Sequence, residues 1–172
     1  MKNKITTISL LIAIASILFT LENMIPTPLP WFRLGFSNII TLLVLKWWGI
    51  KESLIVVTMR VFLGGLLSGK LFNPIFIISL SGSISSAIGM GLLILYCHQI
   101  FSIIGVSIIG AVIKNITQLC TAYLLFIKNI SIFSLIPVFM IVSLITGAII
   151  GIITYIIDEK LKIRPGNYAK SQ

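Results

Sequence analysis

The sequence predicts an all-α, polytopic integral membrane protein with about six transmembrane helices in one bundle and both termini cytoplasmic, and three observations carry that prediction. Hydrophobic residues make up 58% and charged residues 10% of the 172 positions, with a mean hydropathy of +1.13, far outside the range of soluble globular domains. The apolar residues fall into runs long enough to cross a hydrocarbon core, which takes ~20 residues per helix. Basic residues collect at the ends of these runs, where topology determinants sit.

The runs place spans at about 5–21, 34–50, 53–70, 74–96, 102–127 and 134–157, with a charged cytoplasmic tail at 158–172, all within a single transmembrane domain covering 1–172. The first run follows Lys2 and Lys4 and resembles a signal peptide in outline. It continues to Leu21 and leads straight into a polar segment, which favours an uncleaved first span. Ser9, Ala13, Ser16, Thr20 and Asn23 recur along it at helical spacing, giving one stripe of small residues, and Ser9, Ala13 and Ser16 are read as a docking face for a partner helix.

Between the first and second runs lies ENMIPTPLPWFRLGFSN, residues 22–38. Pro26, Pro28 and Pro30 remove backbone donors and fix φ, so this segment cannot be a regular spanning helix. It must lie at the membrane surface or line a cavity. The prolines suggest a preorganised lid, with a stiff external connector as the alternative. The second run is bracketed by Trp31-Phe32 and Trp47-Trp48, where interfacial rings settle.

The third run contains Arg60 within IVVTMRVFLGG. A charge at mid-bilayer costs ~2.5–3.5 kcal/mol on insertion scales, so Arg60 either meets an anionic ligand or a carboxylate, or snorkels to an interface. Glu22 is the acid placed to meet it, since Glu52, Asp158 and Glu159 fall on the cytoplasmic side. In the fifth run, Ser107, Ala111, Lys114, Gln118 and Thr121 recur at helical spacing, with Asn115 adjacent to Lys114. This polar stripe must face the bundle interior, either in a hydrated pocket or in a buried network. Gly65 with Gly69, Ser81 with Ser85 and Gly89, and Ser143 with Gly147 and Gly151 fit the small-xxx-small pattern of close helix packing.

With cytoplasmic ends, the inside carries Lys2, Lys4, Lys46, Lys51, Lys160, Lys162, Arg164 and Lys170, and the outside Arg33, Lys70 and Lys128. That asymmetry gives the orientation and explains the net charge of +9 without nucleic acid. Cys97 and Cys120 lack any CxxC or Cys/His spacing, and His98 is the single histidine, so no metal site or triad is expected. The chain lacks a P-loop of the form GxxxxGK[ST], so any ATP hydrolysis belongs to a partner. No cofactor is expected.

Three motifs carry a resemblance: E-N-x-I-P-T-P-L-P-W-F-R-L-G-x-x-N at 22–38, Arg60 followed by Gly64-Gly65, and G-A-V-x-x-N-x-x-Q-L at 110–119. On these the chain resembles the family labelled heptaprenyl diphosphate synthase component I, also described as Gx-type transporters. That family is similar to the substrate-binding S components of energy-coupling-factor transporters. The resemblance implies a six-helix protein of the bacterial cytoplasmic membrane that captures a small molecule outside and docks through its first helix to an energy-coupling transmembrane subunit with ATPases.

The expected ligand is anionic or phosphorylated, such as a flavin or another vitamin-like compound, held by Glu22, Trp31, Arg33, Asn38, Arg60, Lys114, Asn115 and Gln118. Arg and Lys would meet the anion, the amides would hydrogen-bond polar edges and Trp31 would stack on a ring. Where the family usually has His before the Asn of the fifth-helix motif, this chain has Lys114. The family label also implies an accessory part in prenyl diphosphate synthesis. Prenyl transfer itself needs clustered aspartates for magnesium, and the sequence has one aspartate, Asp158, so no catalytic role is expected.

Overall fold

The computed structural model describes residues 2–24, 35–69, 71, 73–96 and 101–161. Among them are six α-helices and no strand: α1 (Lys2–Met24), α2 (Asn38–Trp48), α3 (Ile50–Leu67), α4 (Pro74–Tyr96), α5 (Ile103–Ala122) and α6 (Ile136–Leu161). Four helical stretches are long and apolar enough to cross a membrane: Lys4–Met24, Pro74–Tyr96, Ile103–Ile127 and Ile130–Leu161. The other two differ for separate reasons. Helix α3 has the length but carries Lys51, Glu52 and Arg60, while α2 has only 11 residues.

The second run, expected to span at 34–50, is therefore a shorter helix than its hydropathy suggests. Gly35 adopts φ +88, a backbone that side-chain-bearing residues rarely take. The turn through Phe36 and Ser37 is closed by Asn38 N–H donating to Gly35 O at 2.8 Å and Ile39 N–H to Phe36 O at 3.0 Å. Gly49, at φ 97, then ends α2 and begins α3 in a one-residue reversal. Eleven residues rise only ~16 Å, about half of a ~30 Å hydrocarbon core. The start of α2 thus lies inside the bundle rather than at its surface.

Helix α2 is also the centre of the packing. Nine of its residues are buried, and it touches α1, α3, α4 and α6. Leu42 and Leu45 pack with Met90 and Val106, while Ile39, Leu43 and Trp47 pack with Ile150. Trp47, expected as an interfacial ring, is instead 1% exposed. Its indole N–H donates to Asp158 Oδ1 at 2.7 Å, and Lys46 Nζ lies 2.5 Å from Asp158 Oδ2. The sixth run was expected to end at 157, before the charged tail; these two partners hold Asp158 within α6, which runs on to Leu161. Residues 162–172 lie outside the described residues.

Helices α5 and α6 approach closely because glycines remove the intervening side chains. A Cβ at Gly147 would lie 2.7 Å from Ile108 Cα, and one at Gly151 would lie 2.7 Å from Ile104 Cα, as the small-residue pattern predicts. Gly82 of α4 makes room for Gln118 of α5, and Gly110 of α5 for Met90 of α4. Gly69 differs from the expectation. It sits past the end of α3 at φ +66 with nothing within 4 Å, so it closes the helix rather than packing one.

The remaining ends have local causes. Pro74 opens α4 with a preset φ, and Asn73 Oδ1 accepts from Ile75 N–H at 3.1 Å. Ser102 caps α5 through Gly105 N–H, and α5 widens into a π turn at Tyr123–Ile127 that ends on Lys128 in the left-handed region. The outward surface is apolar: Leu10, Ile14 and Ile17 of α1, Met59 and Phe62 of α3, and Leu144, Ile145 and Ile149 of α6 are all exposed. A lipid-facing exterior accounts for that distribution.

Candidate functional site

The polar residues of the bundle converge on the start of α2, because that helix stops half-way up and leaves backbone inside the protein. Ser37 is the hub. Its N–H donates to Glu22 Oε1 at 2.9 Å, and its carbonyl accepts from Arg60 Nη1. Glu22 from the end of α1 and Arg60 from the middle of α3 therefore grip the same residue from its two sides. Arg60 Nη2 also reaches Asn38 Oδ1, at 3.4 Å, and Asn38 Nδ2 lies 4.0 Å from Met90 Sδ.

Burial explains why this arrangement is needed. Glu22 is 5% exposed and Arg60 1%, and charges so removed from water require opposite charge and hydrogen bonds around them. The Arg60 side chain turns inward onto Ser37, not outward to an interface. Asn23 Nδ2, the next residue of α1, donates to Ser68 Oγ at 3.0 Å, so the end of α1 is fastened to both α2 and α3. The first amides of α2 are already satisfied by Glu22, Gly35 and Phe36. An anion at this place would be held by side chains, not by free helix amides.

Beside this grip lies the α5 stripe. Lys114 is 6% exposed, Asn115 6%, Gln118 1% and Ser107 1%, so the stripe faces the interior as its spacing predicts. Lys114 Nζ would lie 3.5 Å from a Cβ built at Gly35, which puts the ammonium against the turn that precedes α2. Asn115 Nδ2 donates to Ser143 Oγ at 2.6 Å, and Ser143 Oγ in turn donates to Phe139 O at 2.5 Å. Thr121, at the C-terminal end of the stripe, shares a hydrogen bond of 3.0 Å with Ser81.

Gly35, Asn38, Ala111, Lys114, Asn115, Thr146 and Ile150 line a small cavity of about 10 Å³, room for about one water molecule. Buried polar atoms without hydrogen-bond partners among the described residues include Glu22 Oε2, both the nitrogen and the oxygen of the Gln118 amide, and the hydroxyls of Thr41, Ser79 and Ser107, spread over α1, α2, α4 and α5. Each such atom costs ~1–3 kcal/mol when left unsatisfied.

Of the residues expected at the site, Glu22, Asn38 and Arg60 meet at Ser37, and Lys114 and Asn115 join Asn38 in lining the cavity. Gln118 stands one turn further along α5, against Gly82. Trp31 and Arg33 lie outside the described residues, as do the lid expected at Pro26, Pro28 and Pro30, and Cys97 and His98. The docking stripe on α1 divides: Ser9 and Ala13 are exposed, but Ser16 is buried. Ser16 belongs to the packing between helices, its hydroxyl donating to Ile12 O at 2.8 Å.

Three contributors escaped the residue-level expectation. Ser37 acts through its backbone, which composition does not mark. Thr146 and Ile150 line the cavity from α6, and their spacing of four, next to the Ser143–Gly147–Gly151 row, is the signal that α6 presents this face inward.

The family model described as heptaprenyl diphosphate synthase component I matches residues 11–157. That span takes in Glu22, Ser37, Asn38, Arg60 and Lys114 together. No curated protein and no solved structure matches the chain.

Proposed function

The chain belongs to the heptaprenyl diphosphate synthase component I family, and from that premise we propose that it is the substrate-binding membrane subunit of a small-molecule uptake transporter. The observation that carries the proposal is the pairing of two buried cations, Arg60 and Lys114, around the interrupted start of α2. Discontinuous membrane helices that present polar groups at mid-depth are a recurring way to bind substrate in transporters. Charges kept inside a membrane bundle, each at a cost of ~2.5–3.5 kcal/mol, mark such pathways.

The ligand is anionic or phosphorylated. Arg60 and Lys114 bring two basic groups to the cluster, the chemistry that suits a carboxylate or phosphate. The amides of Asn38, Asn115 and Gln118 supply neutral hydrogen bonds for polar edges. Trp31 and Arg33 complete the set from the segment between α1 and α2. The cavity has room for only about one water, so a vitamin-sized ligand enters by parting the 35–37 turn from α5 and α6. The protein forms one six-helix transmembrane domain in the bacterial cytoplasmic membrane, with both termini inside. Ser9 and Ala13 offer the α1 face to an energy-coupling subunit whose ATPases drive transport. The subunit itself performs no catalysis.

A second reading follows from the family's description, which names a component of heptaprenyl diphosphate synthase. In it the chain is an accessory membrane subunit that holds a lipid diphosphate for a separate, aspartate-rich synthase. Purification in mild detergent separates the two. Copurification with ATPases and a coupling membrane protein, together with a retained vitamin-like anion, supports uptake. A soluble aspartate-rich synthase with a retained prenyl diphosphate overturns it in favour of the accessory role.

A further inference from the structure

At the opposite end of the bundle from Glu22, two apolar clefts open where α2 reverses into α3 beside the end of α4. The first, about 190 Å³, lies between α2, α4 and α5 and is lined by Leu42, Lys46, Ile94, Phe101, Ile103 and Val106. The second, about 330 Å³, lies between α2, α3 and α4, with Leu45, Ile50, Gly91 and Leu95 as its apolar walls. Lys46 and Ile94 line both, and Lys51 stands at the second. The clefts are thus neighbours on either side of Ile94, with a common cation at their mouth.

Their chemistry is distinctive. The side chains that line them are aliphatic or aromatic apart from Lys46 and Lys51, and neither lining contains an acid. Asp158 holds Lys46 from the α6 side at 2.5 Å, and the Lys46 side chain keeps 40% of its surface exposed. Lys51 is exposed at the start of α3. Lysine stems lie along apolar walls while their ammonium groups stay at the polar level of a bilayer, where anionic headgroups collect basic side chains.

We propose that Lys46 and Lys51 hold the phosphate of a two-chain anionic phospholipid, one chain of which enters each cleft on either side of Ile94. A single-chain anion would leave one cleft empty. A soluble anion would use neither set of apolar walls. The site is independent of the Lys114 cluster, so it stands or falls apart from the transport proposal.

The test is native mass spectrometry of the full chain after incubation in mixed micelles of equal phosphatidylglycerol and phosphatidylcholine. The expected result is retention of phosphatidylglycerol in preference to phosphatidylcholine. Lys51→Ala, which leaves the Lys46–Asp158 contact in place, should cut that preference about fivefold. Ile94→Trp, which fills the wall between the clefts without changing charge, should lower retention of both lipids, while Lys114→Ala should leave it unchanged. Equal retention of the two lipids by the unaltered protein, or an unchanged preference in Lys51→Ala, overturns the proposal. Displacement of the lipid by inorganic phosphate overturns it in favour of a soluble anion.

Discussion

Arg60→Ala is the perturbation that reaches furthest into the site, because one side chain joins α3 to the start of α2. The guanidinium donates to Ser37 O and approaches Asn38 Oδ1 at 3.4 Å. A hydrogen bond to a charged group contributes ~1.5–3 kcal/mol net, whereas a contact as long as 3.4 Å adds little. Truncation also leaves the Ser37 carbonyl and the Glu22 carboxylate in a place where water is scarce, at ~1–3 kcal/mol for an orphaned acceptor. Against this, the bundle no longer has to bury a cation. The net expectation is a loss of about 2–3 kcal/mol, which for a chain of this size lowers Tm by about 4–12 °C.

The assay is thermal unfolding in detergent, followed by circular dichroism. Arg60→Lys should fall between, since a single ammonium lacks the planar fork that engages Ser37 and Asn38. Glu22→Gln keeps an acceptor for Ser37 N–H but removes the countercharge, so Arg60→Ala and Glu22→Gln should show a coupling of about 1 kcal/mol in a double-mutant cycle. Arg60→Ala within about 0.5 kcal/mol of the unaltered protein, the range of an ordinary surface change, would refute the reasoning.

Other consequences are equally open to measurement. Gly147→Ala would place a methyl 2.7 Å from Ile108 Cα, forcing α5 from α6 at about 1–3 kcal/mol. Gly105→Ala, which meets only the Phe101 side chain at 3.2 Å, should stay within about 0.5 kcal/mol in the same thermal scan. Asp158→Ala removes the acceptor of both Lys46 and Trp47, so it should cost about 2 kcal/mol and shift tryptophan emission to the red as Trp47 becomes wetter. An unchanged emission maximum would mean that Trp47 does not depend on Asp158.

Much of the architecture was legible because membranes simplify the code. Runs of apolar residues became helices, and α4 occupies 74–96 as the hydropathy indicates. The α5 stripe faces inward because helical spacing is geometry, and a polar row in lipid has nowhere else to turn. The family was legible too, from the motifs at 22–38, Arg60 and 110–119, and the match over 11–157 bears it out. The failures share a cause. Hydropathy averages over residues, so it could not register that Gly35 takes φ +88 and starts α2 three residues later. It likewise read Asp158 as the start of a tail, when pairing with Lys46 and Trp47 keeps the helix intact. On α1, the stripe of Ser9, Ala13 and Ser16 straddles two faces, and Ser16 lies on the one that packs inward.

The central claim is that the cluster around Lys114 and Arg60 binds an anionic small molecule. Native mass spectrometry of the protein purified from cells, compared with Lys114→Ala purified in parallel, tests it most directly. The account predicts a retained anionic or phosphorylated compound of vitamin size on the unaltered protein, and its loss from Lys114→Ala while the thermal scan still shows a folded chain. The same mass adduct on both proteins, or no small molecule on either after growth in complete medium, would contradict it.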